Sequence, residues 1–451
     1  MKKIKFTFSN IYLLMGAGLA FLGTILLYHV DALSISNWAY DLLTCVKNGD
    51  ISGFPAYTYE THGLATNYSL AVNVINAIWL SPLFLIEQIS TVKFSEFLFM
   101  LWYKILLLIV VAAGGKLFRD LLVMKGIDAE KRKIAVGLYF SSAIVSVAVL
   151  GKGQIDIYAL FFLLLGTRYF LKEKYMTMSL LWGCAILIKP FPILMILPVL
   201  LLLGAKEKEG IFLYGLLTLV PFSMDKVITD ICMPSYQTYV DMTSQAFAET
   251  FGFTRFSQLF SVSVGNIQLF GAGMFLICLY CYYLGRNDEV KEWHYTVFPA
   301  LSYILLCAFE SSTNYWYVCV LPLLIYMGMK YRKLSEVGLL LGINGFGTCF
   351  WMRLSNDGLP MARLLKPVSD RFPFLGNFCN RQLIFTDEKG YLAQFGITLF
   401  VMTMVAIVSI YTYEQKDLKY RGNDLVLKNW DKICLLIPAF VVFAYIIYQI
   451  V

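Results

Sequence analysis

The chain has 451 residues, of which 59% are hydrophobic and only 15% are charged. A soluble domain is nearer half apolar and a quarter charged, which excludes a water-soluble fold. The apolar stretches are continuous and approach the roughly 20 residues that cross a bilayer, so the pattern is that of an all-α polytopic integral membrane protein and not a membrane β-barrel. The net charge of +7 comes from basic residues scattered over loops between apolar runs. Lysines and arginines so placed set membrane orientation and do not mark a nucleic-acid surface.

The N-terminus carries Lys2, Lys3 and Lys5 ahead of an apolar run at about 11–30. That run is longer than the 7–15 residue core of a signal peptide, so it reads as a retained first span with its start in the cytoplasm. A polar loop follows from Asp31 to about Tyr68, with Trp38, Tyr40, Phe54, Tyr57 and Tyr59 scattered through it. The segment Ser69–Ser90 is apolar enough to cross, yet it contains Asn73, Asn76 and Pro82. If it crossed, the basic loop from Lys116 to Lys133 and the later basic loops would fall outside. The charge pattern therefore predicts an interfacial or re-entrant segment, with the second span at about 95–115.

Further spans are expected near 134–150 and 157–171, then a broken pair at 175–188 and 191–204, then 211–224. The remainder fall near 267–285, 294–310, 316–329, 335–352, 392–412 and 433–450, giving about thirteen (eleven to thirteen) helical passes. Long outer loops are expected over 225–266, with Asp225, Asp230, Asp241 and Arg255, and over 353–391, with Arg353 and Arg363 as neighbouring cations. Each of those arginines reads first as a solvated charge. The short linkers 172–174, 206–209, 330–333 and 416–432 are basic and face inward on this reading, which leaves the C-terminus outside. No repeat, P-loop or dinucleotide fingerprint is present.

Ten cysteines and three histidines leave little for metal or histidine chemistry. Cys184, Cys278, Cys281 and Cys307 lie in apolar segments and behave as small hydrophobes. Cys45, Cys232 and Cys379 show no paired spacing, and the Cys278–Cys281 pair lacks a second pair or a histidine partner.

Three features converge on the outer face of this topology: Asp31 after the first span, the group Lys152, Gln154 and Asp156, and Lys189 followed at once by Pro190. A charge at the centre of a membrane helix costs about 2.5–3.5 kcal/mol on insertion scales, so such residues are functional candidates by default. The plainer readings are that Asp156 caps a helix and that Lys189 snorkels to a headgroup. A carboxylate at a membrane exit beside a cation in the outer leaflet suits a reaction on a lipid-linked phosphate. The carboxylate can serve as general base and the ammonium can neutralise a leaving phosphate. Asp31 and Asp156 are also hard oxygen donors of the kind taken by Mg²⁺ or Mn²⁺, which leaves a divalent cation open as a cofactor.

The run Gly153-Gln154-Ile155-Asp156-Ile157-Tyr158, the basic turn Lys172-Glu173-Lys174, and Lys189 with Pro198 follow one another in order. Upstream stand Asp31, Trp38 and Asn67-Tyr68. In these motifs the chain resembles the polyprenol-phosphate-sugar-dependent glycosyltransferases of the GT-C fold, in particular the bacterial and mannosyltransferase-like members. Their central signature reads approximately W-G-Q-x-D. The resemblance covers roughly residues 1–205, which makes 1–210 the module expected to carry the site and 211–451 a variable set of C-terminal helices and outer loops. Lys152 stands where those proteins have tryptophan, and the stretch Glu310–Tyr317 lacks the histidine and arginine of their later His-Glu-Arg-Tyr motif.

The resemblance implies amphipathic helices on the outer leaflet before the second span. It also implies a polyprenyl-phosphate sugar as donor and a lipid-linked or cell-envelope glycan as acceptor. Transfer would proceed with inversion, with Asp31 as the general base (Asp41 as the alternative). Lys152, Gln154, Asp156, Lys189, Trp38, Asn67 and Tyr68 are the implied substrate-binding residues. Two other readings stand beside it, a transporter or flippase of lipid-linked glycans and a glycan polymerase. Transporters are usually built from repeats with charge in both halves. Here the intramembrane charge sits in the first half.

Overall fold

A computed structural model describes residues 7–27, 29–207, 210–251, 263–264, 267–309, 314–330, 334–354, 398, 401–412 and 428–450. These residues are almost entirely helical. In chain order the helices are α1 (Phe8–Leu26), α2 (Val30–Lys47), α3 (Phe54–His62), α4 (Leu70–Ile89), α5 (Glu96–Met124), α6 (Ala129–Ser141), α7 (Asp156–Phe170), α8 (Tyr175–Ile188), α9 (Pro192–Leu202), α10 (Ile211–Cys232) and α11 (Tyr236–Phe251). They continue as α12 (Leu269–Arg286), α13 (His294–Phe309), α14 (Leu321–Lys330), α15 (Leu334–Leu354), α16 (Val401–Thr412) and α17 (Asn429–Ile450). A π-helical stretch, Ile144–Val149, follows α6 after a break at Ser142, and a 3₁₀ turn, Asn314–Cys319, precedes α14. A two-residue antiparallel pair, Ser263–Val264 with Ile267–Gln268, precedes α12.

Six of these helices are long and apolar enough to cross a membrane: α1, α4, α5, α10, α12 and α17. Their outward faces carry large apolar side chains such as Leu14, Phe21, Phe212, Phe222, Phe275 and Phe440. Exposed to water they would form large contiguous apolar patches, whereas in a bilayer they meet lipid tails. The chain is a multi-pass helical membrane protein. Helix α5 has 29 residues, about 43 Å at 1.5 Å per residue, and outreaches a hydrocarbon layer of about 30 Å.

Helix α4 meets the length criterion but does not cross. Lys104 of α5 donates to the carbonyl of Leu27 at the end of α1 (2.5 Å), so α1 ends and α5 begins on the same side. Everything between them must therefore start and finish on that side. A transmembrane hairpin of α2 and α4 is excluded as well, because Lys47 at the end of α2 donates to Gln88 at the end of α4 (2.6 Å). The two helices run parallel, and α3, at 9 residues, spans only about 13 Å and cannot carry the chain back across. Helix α4 instead buries Val72, Asn73, Asn76, Leu80, Phe84 and Glu87 and turns Ile75, Ile78, Leu85 and Ile89 outward. The interfacial segment expected from the charge pattern is this helix.

The stretch from Asp31 to Tyr68, which its polarity marks as a loop, is largely helical, as α2 and α3, in the place where the resemblance implied helices before the second span. Its segments are too short and too polar to register as spans, and they fold by burying Ile35, Ala39, Leu42 and Phe54 against the bundle. The outer loop expected from residue 225 begins later, because α10 runs on to Cys232 and stops where Pro234 biases the preceding residue away from helix. Helix α11 then occupies part of the same region. Arg255, Arg363, Cys379, the loop 355–391 and Glu310–Thr313 lie outside the described residues, as does the side chain of Arg353.

The broken pair is present as α8 and α9. Pro190 has no N–H and forces Lys189 into extended backbone, which ends α8 one residue earlier. Pro192 then opens α9 at its first helical position, where a missing N–H costs nothing. The opposite ends of these helices are tied together by Lys206 and Glu173 (3.2 Å).

Candidate active site

The site forms where α1, the turn after the π-helix, the start of α7 and the end of α8 meet. Helix α1 stops at Leu26, and His29 starts α2 by accepting the Asp31 amide N–H on Nδ1 (3.1 Å). This fixes Asp31 in the first turn of α2, with its side chain 31% exposed. It is the most open of the acidic and basic groups gathered there.

Opposite it, Gly153 sits at φ +75°, in the left-handed region that only glycine enters without penalty. A Cβ at this position would also lie 2.4 Å from Ala32 Cβ. The turn can therefore press directly against the start of α2, and Gln154 meets Asp31. The buried Gln154 donates from Nε2 to Asp31 Oδ2, and its Oε1 receives the Tyr68 hydroxyl at 3.5 Å. The Gly153 carbonyl is itself held by the Tyr103 hydroxyl (2.7 Å).

Asp156 is the first residue of α7. The N-cap is Ile155, so Asp156 does not act as a capping residue. Its buried carboxylate faces Lys189 Nζ at 3.6 Å and gains from the positive end of α7. Lys189 therefore points inward and does not snorkel. Its ammonium lies 4.8 Å from the centre of the Tyr68 ring and 6.0 Å from that of Tyr315. The buried Lys152 ammonium lies 5.9 Å from the same Tyr315 ring. Trp38 packs edge-on against Tyr68 at 5.8 Å.

Burial works against ionisation of Asp31. The hydrogen bond and charge of His29, with the charges of Lys152 and Lys189, outweigh it and hold the carboxyl below its ordinary value. The result is an ionised, partly open carboxylate facing two buried lysines.

Of the residues expected from sequence, Asp31, Gln154, Asp156, Lys152, Lys189, Tyr68 and Trp38 come together here. Asn67 is adjacent in sequence to Tyr68, and its buried Oδ1 has no hydrogen-bond partner among the described residues. Asp41 lies apart. It is ten residues further along α2, about 15 Å by helical rise, and is bound to His62 Nε2 at 2.9 Å. Burial pushes Asp41 up to about 6 against the opposing effect of His62.

As donors for a divalent ion the acids fit poorly. Asp156 is engaged by Lys189 and Asp31 by Gln154 and His29, and no group of three or more His, Cys, Asp or Glu side chains forms a metal-ligand cluster among the described residues.

Sequence reasoning missed Tyr315, which reaches the two lysines from the C-terminal half, and two of the three histidines, which stand beside Asp31 and Asp41. It also passed over Lys104, although a lone lysine in an apolar run is a legible signal. Beneath the site, between α5, α7, α9, α13 and α14, lies a cavity of about 180 Å³. Leu160, Leu163, Met195, Val199 and Cys319 line it, and the Lys125–Glu292 pair (2.8 Å) stands at its far end.

No family model and no curated protein matches the chain. Among solved structures it is similar to ArnT from Cupriavidus metallidurans bound to undecaprenyl phosphate. That similarity has 12% sequence identity and a TM-score of 0.48, over 98% of this chain and 76% of that one.

Proposed function

We propose that this protein is a GT-C-type membrane glycosyltransferase. It moves a sugar from a polyprenyl-phosphate donor to a hydroxyl of a lipid-linked or cell-envelope glycan, on the outer face of the membrane and with inversion. The observation that carries this reading is the single constellation of a partly open, ionised Asp31 facing Lys152 and Lys189, at the end of a helical bundle and above an apolar cavity.

In this reaction Asp31 takes the proton of the acceptor hydroxyl as its oxygen attacks the anomeric carbon. The bond from that carbon to the phosphate oxygen breaks on the opposite face, and a one-step displacement inverts the centre. The polyprenyl phosphate leaves with its negative charge beside the two ammonium groups, in a site where such an interaction is worth far more than in water. Tyr68 and Tyr315 hold the lysines in place through their ring faces. Gln154 fixes the Asp31 carboxylate, and the apolar cavity suits an isoprenoid chain. No step needs a divalent ion.

The test is incubation of purified protein with a labelled polyprenyl-phosphate hexose and a glycan acceptor. A new glycosidic bond, lost in Asp31→Asn, supports the reading. Movement of the intact donor across vesicles without bond formation would establish transport in its place.

A further inference from the structure

A costly buried group outside the site is Lys104. It lies in the third turn of α5, is wholly inaccessible, and forms no ion pair with a carboxylate among the described residues. Its ammonium donates to the carbonyls of Leu27 (2.5 Å) and Gly23 (3.4 Å), the last turn of α1. That turn needs a donor. The C-cap Leu27 is extended, no glycine follows to close a left-handed cap, and at membrane depth no water replaces one.

The preceding residue reaches the other half of the site, where the Tyr103 hydroxyl holds the Gly153 carbonyl. The two halves meet backbone to backbone. A Cβ on Gly23 would strike the Ser146 carbonyl at 2.2 Å, and one on Gly153 would strike Ala32. Two consecutive residues of α5 thus grip the two junctions whose abutment brings Asp31 against Gln154.

We propose that Lys104 and Tyr103 are positioning residues that clamp the end of α1 and the 150–155 turn so that Asp31 is held against Gln154. The catalytic part of this inference rests on Asp31 being the general base; the clamp itself does not. Loosening the clamp removes Asp31 from Gln154 and from the Lys152 and Lys189 charges that, after His29, hold its carboxyl low. A protein that is merely less stable loses active fraction without changing the titration of the molecules that remain folded.

The experiment compares full-length wild type, Lys104→Met and the milder Tyr103→Phe. Hydrogen–deuterium exchange is followed over peptides covering 27–33 and 150–156, alongside transfer from a decaprenyl-phosphate hexose across pH 4–9. Faster exchange at both junctions is expected in K104M, and at 150–156 alone in Y103F. Turnover should fall at least tenfold in K104M and about threefold in Y103F, with donor KM changed less than twofold and the acid limb of kcat/KM moved upward. If K104M does not fold, Y103F carries the same readouts for the turn.

Unchanged exchange overturns the clamp. Faster exchange with an unmoved acid limb and unchanged turnover overturns the positioning role. Wild type inert toward every donor tested defeats the proposed activity and the catalytic role drawn from it, while the exchange data still decide the clamp.

Discussion

Each of the two candidate bases has a histidine, but the pairs are built differently. His29 starts the helix and leaves Asp31 low and partly open, whereas His62 covers an Asp41 that burial has pushed to about 6. Asp31→Asn is expected to abolish transfer while leaving insertion intact, and Asp41→Asn to retain it; initial rates on membranes with matched protein levels check both. The pH consequences differ in sign. A depressed carboxyl stabilises the fold above its unfolded value and loses that contribution as pH falls. Asp31 should therefore stay ionised through mildly acidic pH, and His29→Ala should raise the acid limb of kcat/KM. A raised carboxyl binds its proton more tightly in the folded state, so stability falls as pH rises from about 4 to about 6. That component of the thermal midpoint, measured in detergent, should vanish in Asp41→Asn. The motif residues Gln154 and Asp156 were legible because polar groups pressed against apolar runs are costly, and Lys189 because of Pro190. Tyr315 was not, since nothing local distinguishes it from its neighbours Trp316 and Tyr317. Its place over the lysines is set by packing of the 3₁₀ turn against α7 and the π-helix.

At the scale of elements, the site depends on where helices stop. Pro190 ends α8 so that Lys189 enters extended and turns toward Asp156, and Gly153 lets the turn after the π-helix lie flat on α2. Gly153→Ala asks alanine for a left-handed backbone, at about 1–2 kcal/mol, and for space already filled by Ala32. The expected result is a lower thermal midpoint together with loss of transfer, and wild-type values for both would contradict the account of the turn. Lys189→Met should cost about 10²–10³-fold in turnover, the range seen when one donor to a developing anion is removed. Breaks such as Pro190 are readable from sequence because they rest on covalent geometry. Helices α2 and α3 have little local signal, and only the resemblance implied helices there, because they are held by partners distant in sequence: Tyr40 by Glu87 (2.9 Å), Asp41 by His62, and the residues just after α3 by α11 through Ala65 and Thr243 (3.0 Å).

For the whole molecule, every part of the site must face one compartment, and the hydrogen bond from Gln154 to Asp31 meets that condition directly. Had α4 crossed, the turn carrying Gln154 would lie a membrane's width from Asp31. The face opposite the site collects Lys125 with Glu292 and Lys206 with Glu173, where the described basic turn 172–174 also lies. The bias of lysine and arginine toward the cytoplasm leads us to expect that face inside and the site outside, as proposed. Ser52, between α2 and α3, and Glu173, between α7 and α8, are exposed on the two opposite faces. Each is to be replaced by cysteine in a background lacking the ten native ones. An impermeant thiol reagent added to intact cells should label position 52 at once and position 173 only after permeabilisation. The reverse pattern would put Asp31 and both site lysines in the cytoplasm, where a donor presented from the outer leaflet cannot reach them, and would overturn the proposed orientation without disturbing the geometry of the site.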